Sequence, residues 1–76
     1  MKKIFNLLDI VALSSDLPNE GLLKGQVGTI VEILSDHVFE VEFANDKGVA
    51  YAILPIKSSQ IIQLHFNPAK SKRVYA

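Results

Sequence analysis

Apolar and polar side chains alternate along several short stretches of the chain. The clearest is residues 38–43, Val-Phe-Glu-Val-Glu-Phe, which places three apolar side chains on one face and Glu40 and Glu42 on the other. This period of two is typical of an antiparallel strand with one buried face. A slip of one residue would bury both carboxylates, so the pattern predicts a single register for this strand.

Four other stretches predict strands because β-branched and aromatic residues are frequent in them; they are residues 8–13, 29–34, 49–54 and 61–64. Turn-forming residues separate these strands. Asp, Pro, Asn and Gly gather in residues 16–21, and Asn-Asp-Lys-Gly at 45–48 is typical of a hairpin. Pro55 is expected to end the fourth strand, and residues 56–60 have the right length for one helical turn.

The predicted fold is all-β, a small five-stranded SH3-like barrel with a single helical turn before the last strand. An OB-like barrel is the main alternative, but it carries a longer helix between its third and fourth strands, and residues 44–48 leave no room for one. Residues 1–66 are expected to form one domain and residues 67–76 a mobile basic tail. Ile4, Leu7 and Leu8 fall at helical spacing, which predicts a helical turn over residues 2–8 that plugs one end of the barrel.

The alternation also predicts which side chains form the core, and the expected set is Val11, Val27, Ile30 or Val31, Phe39, Val41, Phe43, Tyr51, Ile53 and Ile62. Almost half of the chain is apolar, which is more than one small interior can hold. Some apolar side chains are therefore expected near the surface, drawn from Leu17, Leu22, Leu23, Leu34, Leu54 and Ile56. Gly25 and Gly28 are expected to serve a tight start of the second strand and a bulge that curves the sheet.

Five segments of the chain resemble a bacterial family known as domain of unknown function 4926. They are residues 7–13, 16–18, 25–32, 39–43 and 54–55, and the Gly-Gln-Val-Gly-Thr block followed by Phe-Glu-Val-Glu-Phe is the most distinctive part. The resemblance covers about residues 7 to 64. It implies a small, mostly cytoplasmic bacterial protein with an SH3-like fold and no established activity, and it supplies no catalytic residues. Val49 departs from the polar or basic residue expected after the turn glycine, and the residues beyond 65 match nothing in the family.

Composition narrows the range of functions. The chain has no cysteine, so disulfides, thiolate metal sites and thiol nucleophiles are excluded. His37 and His65 have no acidic partner at metal-ligand spacing, and no serine belongs to a histidine–acid pattern, so we expect no metal, no cofactor and no enzymatic activity. Glu40 and Glu42 share a face, but a glycosidase-like carboxylate pair also needs a cleft, which so small a domain is not expected to have.

Neither a signal peptide nor a membrane segment is predicted, because Asn6 and Asp9 interrupt the first apolar run and no other run is long enough to span a bilayer. A cytoplasmic location is therefore expected. The formal net charge is zero and the basic residues Lys70, Lys72 and Arg73 lie in the tail. Nucleic-acid binding is disfavoured, since affinity for phosphates requires a positive surface.

Two functional hypotheses follow. The first is a protein-interaction module that binds another protein through the sheet surface carrying Glu32, Glu40 and Glu42 or through an exposed strand edge, while its apolar surface residues could pair two copies of the chain. Such a module could be the small partner, of antitoxin or immunity type, in a two-gene operon. The second is a nucleic-acid-binding module, because residues 25–31 resemble the glycine-containing strand of KOW-type modules. Solubility and protection against edge pairing are the simpler explanation of these three glutamates.

Overall fold

The computed structural model describes residues 4–64, and within them it has five β-strands and two 3-10 helical turns. The elements are β1 (Ile10–Leu13), a first 3-10 turn (Pro18–Glu20), β2 (Val27–Ile33), β3 (Val38–Ala44), β4 (Ala50–Lys57), a second 3-10 turn (Ser58–Gln60) and β5 (Ile61–Gln63). The single helical turn predicted before the last strand is confirmed, with bounds shorter than residues 56–60. The proposed tail, residues 67–76, lies outside the described residues.

The strands form one antiparallel sheet in the order β4-β3-β2-β1-β5. The all-β prediction is therefore confirmed. Closure into a barrel is not, because within residues 4–64 no backbone pairing joins the two edge strands β4 and β5. The register of β3 is the one that its alternation predicts: Phe39, Val41 and Phe43 are buried.

The turn between β3 and β4 is the predicted hairpin. Asn45 accepts hydrogen bonds at its side-chain Oδ1 from the backbone N–H groups of Lys47 and Val49, at 2.9 and 3.0 Å. Gly48 has a φ of 82°, a left-handed conformation that glycine adopts without steric cost. The side chain of Asn45 and the glycine together determine where the chain reverses.

One compact cluster of apolar side chains forms the core; its buried members are Val11, Leu13, Leu22, Ile30, Phe39, Val41, Phe43, Ile56 and Ile61. Val11, Ile30, Phe39, Val41 and Phe43 confirm the sequence prediction. The core prediction is wrong for four residues, which are each about half exposed: Val27, Tyr51, Ile53 and Ile62. Of the apolar residues expected near the surface, Leu23 and Leu34 are exposed, while Leu22 and Ile56 belong to the core.

The error in β4 has a specific cause. The strand is apolar on both faces, so its alternation does not say which face is buried. An irregularity in the β3–β4 pairing sets Phe43 opposite Ala52 but Ala44 opposite Ala50, which leaves Tyr51 as an extra residue. Ile56 therefore points to the core, where it is 1% exposed, and Ile53 points outward, where it is 53% exposed.

Pro55 lies inside β4, opposite Glu40, so the prediction that it ends the strand is wrong. Among residues 4–64, β4 is an edge strand whose only neighbour is β3. Alternate N–H groups of an edge strand have no partner in the sheet, and a proline at such a position removes no ladder hydrogen bond.

Gly28 is required by close packing and not by a bulge. It pairs regularly with Val11 and Phe43, and a Cβ built on it would lie 2.7 Å from Cγ1 of Val41 and 2.9 Å from the backbone oxygen of Glu42. The bulge of β2 lies further along, between Ile30 and Glu32. The role expected for Gly28 is therefore corrected, whereas Gly25, with a φ of 92°, does precede β2 in a left-handed conformation.

The N-terminal segment does not form the predicted helical turn within its described part. Ile4, Leu7 and Leu8 are exposed. Phe5 contacts the core instead, with its ring 5.3 Å from that of Phe39. Asp9 holds the segment in a tight turn, because its carboxylate accepts hydrogen bonds from the backbone N–H of Asn6 and from the side chain of Gln63. The backbone N–H of Leu8 also donates to the backbone oxygen of Ile30 at 2.7 Å, so backbone and side-chain hydrogen bonds, rather than a helical turn, place this segment against the sheet.

Candidate partner-binding face

The outward side of β3 carries the carboxylates that the sequence singled out. Glu40 and Glu42 alternate with the three buried side chains of this strand, so both project from the opposite side of the sheet. Each is half-buried by neighbouring side chains. Glu42 stands opposite Thr29 of β2 and Ile53 of β4, and Glu40 stands opposite Pro55.

A bulge in β2 brings Glu32, the third glutamate singled out in the sequence, onto the same side of the sheet. Ile30 pairs with Val41, and the next pair is Glu32 with Glu40, which leaves Val31 as the extra residue. Directly opposite side chains in an antiparallel pair have Cβ atoms about 5 Å apart, and like charges in such a pair repel each other. The structure therefore brings Glu32, Glu40 and Glu42 onto one side of the sheet and places Glu32 directly opposite Glu40.

Apolar side chains lie beside these carboxylates. Val31 and Ile53, on the flanking strands, are 37% and 53% exposed. We call the surface formed by Val31, Glu32, Glu40, Glu42 and Ile53 the acidic face. Exposed apolar groups next to half-buried charges are typical of surfaces that contact another protein, where the apolar area contributes affinity and the charges contribute specificity.

The acidic face belongs to a region with a strong charge imbalance. Residues 4–64 contain all eight carboxylate side chains of the chain but only three lysines, a net charge of −5 with histidine neutral. Lys24 lies in a loop and Lys47 in the hairpin turn, while Lys57 pairs with Val38, the next outward position of β3 after Glu40, and is the cation nearest to the carboxylates among these three lysines. The whole chain has zero net charge, but residues 4–64, which contain the sheet, are negative.

Two open grooves lie elsewhere on the described surface, so the expectation that the domain has no cleft is wrong. A groove of about 540 Å³ at one end of the sheet is lined by Ile4, Phe5, Ile33, Ser35, Asp36, His37, Phe39, Ser58 and Ser59. A smaller one, of about 260 Å³, lies between the first loop and β4 and is lined by Leu17, Pro18, Asn19, Glu20, Leu54, Pro55, Ile56 and Gln60. None of the three glutamates of the acidic face lines either groove.

Part of the β4 edge is blocked to an added strand. Pro55 has no backbone N–H, and the N–H of Lys57, two residues further on, donates to Oε1 of Gln60 at 3.0 Å. Both residues belong to the row whose backbone groups point away from the sheet, since N–H directions alternate along a strand. Residues 55–57 therefore offer no donor to a partner strand, which favours the face of the sheet over this part of its edge.

The chain matches the family described as Domain of unknown function (DUF4926) over residues 7–63. It belongs to this family. The match extends from the turn before β1 to the end of β5, so all five strands of this DUF4926 domain lie within it. No curated protein matches the chain, and no solved structure matches it either.

Among residues 4–64, no group of three or more His, Asp or Glu side chains is placed to hold a metal ion. In the same part of the chain no helix has the length and apolar character needed to cross a membrane.

Proposed function

We propose that this DUF4926 domain is a non-enzymatic protein-interaction module and that its acidic face binds a basic patch on another protein. The observation that supports this most is the pairing of Glu32 with Glu40 beside Glu42, next to the exposed side chains of Val31 and Ile53. Like charges directly opposite each other on neighbouring strands repel in the free protein. A cation from a partner would relieve that repulsion, so it should bind this pair more favourably than it would bind a single isolated carboxylate.

The chemistry of the face favours arginine on the partner. A guanidinium group donates several hydrogen bonds in one plane and can bind two carboxylates at once, as Glu32 and Glu40 present them. Its aliphatic stem can pack on Val31 or Ile53 while its charged head reaches the carboxylates. A partner segment with one or two arginines between apolar residues would thus match both components of the face.

The same reasoning disfavours direct pairing of two acidic faces in a homodimer, because each copy would bring a negative surface to the contact. A second copy could still contribute a basic segment. We propose a separately encoded protein as the partner, and the antitoxin or immunity role in a two-gene operon stays a prediction that identification of the partner would test.

We further propose that the fold is of the SH3-like barrel type. The strand order β4-β3-β2-β1-β5 and the 3-10 turn between β4 and β5 support this proposal. In such folds the sheet is strongly curved, and the bulge between Ile30 and Glu32 is a feature that bends a strand.

An affinity pull-down from the native cell, with the full chain as bait, tests the function. The decisive bait is the double variant Glu40→Lys/Glu42→Lys. The control is Glu20→Lys/Asp46→Lys, which makes the same change in net charge in the first loop and the hairpin turn, away from the acidic face. A stoichiometric protein retained by the wild type and the control but lost by the face variant supports the proposal. Equal loss in both variants would attribute binding to overall charge and refute a role for this face.

A heparin column separates this function from nucleic-acid binding. Because residues 4–64 carry a net charge of −5, the wild-type chain should elute at low salt. Strong retention, together with recovery of nucleic acid by all three baits, would favour the KOW-like function instead.

A further inference from the structure

The two edges of the described sheet differ in length and in protection. Unpaired backbone groups at an edge are a template for another strand, and proteins commonly limit this with a short edge strand or with charged side chains. β5 is short, with three residues, whereas β4 has eight. From Ala50 to Ile56 β4 carries no charge, and the side chains of Tyr51 and Ile53 are 49% and 53% exposed. β4 is therefore a long apolar edge on a negatively charged domain.

The free backbone groups of this edge lie near its middle. The N–H of Ser58 donates to the backbone oxygen of His37 at 2.8 Å, so it points toward β3. Because backbone groups alternate along a strand, those of Lys57, Pro55 and Ile53 point away from β3. The N–H of Lys57 is already bonded to a side chain, and Pro55 has no N–H. Ile53 is therefore the first residue of this row that offers both a donor and an acceptor to another strand.

These groups are self-complementary. When two copies of β4 run antiparallel about a two-fold axis at Ile53, each Ile53 donates to the other and accepts from it, so both of its groups are paired. A register centred on Leu54 would place Ile53 opposite Pro55 of the second copy, and the carbonyl of Ile53 would find no donor there. The missing N–H of Pro55 thus favours one register for a pair of identical strands.

The negative charge of the domain does not oppose this contact. Glu42 stands opposite Ile53, so the row across the joined edges runs from Glu42 over both Ile53 residues to Glu42 of the second copy. Three steps of about 4.8 Å separate the two carboxylates by roughly 14 Å. At physiological ionic strength the screening length is about 8 Å, so their repulsion is largely screened. A second copy therefore fits this edge although it does not fit the acidic face.

We propose that two copies of this chain associate through their β4 edges, so that two five-stranded sheets become one continuous antiparallel sheet. Ile53 lies opposite its counterpart, and the two exposed side chains contact each other on the outward side of the sheet. The association goes beyond the proposed function because it needs no partner protein. It places two acidic faces side by side, which allows one partner with two basic segments to bind both.

Amide hydrogen exchange of the unchanged full chain, followed by NMR, tests the edge contact. Between about 10 µM and about 1 mM protein, exchange of the Ile53 amide should slow by at least about tenfold, because pairing protects it. Gln63 is the matched control, since the inward bond of Leu64 to Ile10 directs the N–H of Gln63 away from β1 at the other edge. Exchange at Ile53 that does not depend on concentration, or an equal change at Gln63, would overturn the proposal.

Two variants at one position separate backbone pairing from side-chain contact in sedimentation experiments. Ile53→Pro removes the outward N–H and with it two hydrogen bonds of the symmetric contact, so association should weaken by about tenfold or more. Ile53→Thr keeps the N–H and the β-branched shape and should weaken association much less. Equal weakening by both would assign the association to the side chain and overturn edge pairing. The measurements on the unchanged chain remain decisive if Ile53→Pro does not fold.

A mixed sample of isotope-labelled and unlabelled chains tests the register. With the axis at Ile53, Ala52 stands opposite Leu54 of the second copy in a pair without hydrogen bonds, where the Cα atoms are about 4.5 Å apart. A nuclear Overhauser effect between the Hα atoms of Ala52 and Leu54 on different chains is therefore expected. Association without this signal would place the contact elsewhere, and a chain that stays monomeric at about 1 mM would refute it.

Discussion

Gly28→Ala is expected to destabilise the domain although it adds a single methyl group. The new Cβ would lie 2.7 Å from Cγ1 of Val41, 2.9 Å from the backbone oxygen of Glu42 and 3.0 Å from Cδ1 of Phe43. Favourable carbon contacts lie near 3.5–4.0 Å, so all three contacts are repulsive. Val41 and Phe43 are fully buried, and the oxygen belongs to the sheet backbone, so none of these atoms can move freely.

The cost is that of overpacking a closely packed interior, about 1 to 3 kcal/mol. A domain of this size is stabilised by roughly 3 to 5 kcal/mol, so the variant would lose a large share of its stability. In thermal unfolding each kcal/mol corresponds to about 4 to 8 °C in Tm. Urea denaturation monitored by circular dichroism gives the free energy directly.

Gly48 is the matched control, because glycine is needed there for its backbone conformation and not for lack of space. It has a φ of 82°, and a Cβ there would meet nothing within 4 Å. Asparagine tolerates the left-handed region better than alanine does, so Gly48→Asn should be more stable than Gly48→Ala. At Gly28 the order should be reversed, because the larger side chain worsens the overlap. If Gly28→Ala were as stable as the wild type, or Gly28→Asn no worse than Gly28→Ala, the close approach of β3 to Gly28 would be refuted.

Three further predictions test the two faces of the sheet and the tail. Ile56→Ala should lower the free energy of unfolding in urea by about 2 to 5 kcal/mol and Ile53→Ala by much less, because only Ile56 is buried. The opposite order would mean that Ile53, as predicted from the sequence, is the core residue. Phe43→Ala should cost roughly 3 to 5 kcal/mol and Glu42→Ala almost nothing, and equal damage would contradict the register of β3. Removal of residues 67–76 should leave Tm nearly unchanged, since their sequence lacks apolar periodicity, whereas a drop of many degrees would mean that the tail packs as a further strand.

Sequence reasoning succeeded where only one face of a strand could be buried. In residues 38–43 one face is apolar and the other carries carboxylates, so burial determines the register and places Glu40 and Glu42 outward. The hairpin at residues 45–48 was equally predictable, because Asn45 and Gly48 satisfy the turn by local chemistry alone.

Sequence reasoning failed where both faces of a strand are apolar or where an extra residue shifts the inward–outward alternation of side chains. In β4 either face could enter the core, and the irregularity at Tyr51 decided which one does. Leu22 was not predicted in the core because it follows a loop and has no periodic context. The sequence did hold a signal that the strand continues through Pro55, because the apolar Ile56 follows it and a proline is compatible with an edge strand. The bulge in β2 left no signal in the sequence.

That bulge decides the direction of Glu32 in the sheet. Gly28 and Ile30 are buried, so in an unbroken strand Glu32 would follow them inward, opposite Phe39. The extra residue, Val31, turns Glu32 outward instead. Deletion of Val31 would place Ile30 and Glu32 next to each other, opposite Val41 and Glu40, so the pairing would become regular and Glu32 would still point outward. A pairing that kept Val31 but lost the bulge would instead bury the carboxylate among apolar side chains, and the cost of that burial holds the bulge in place.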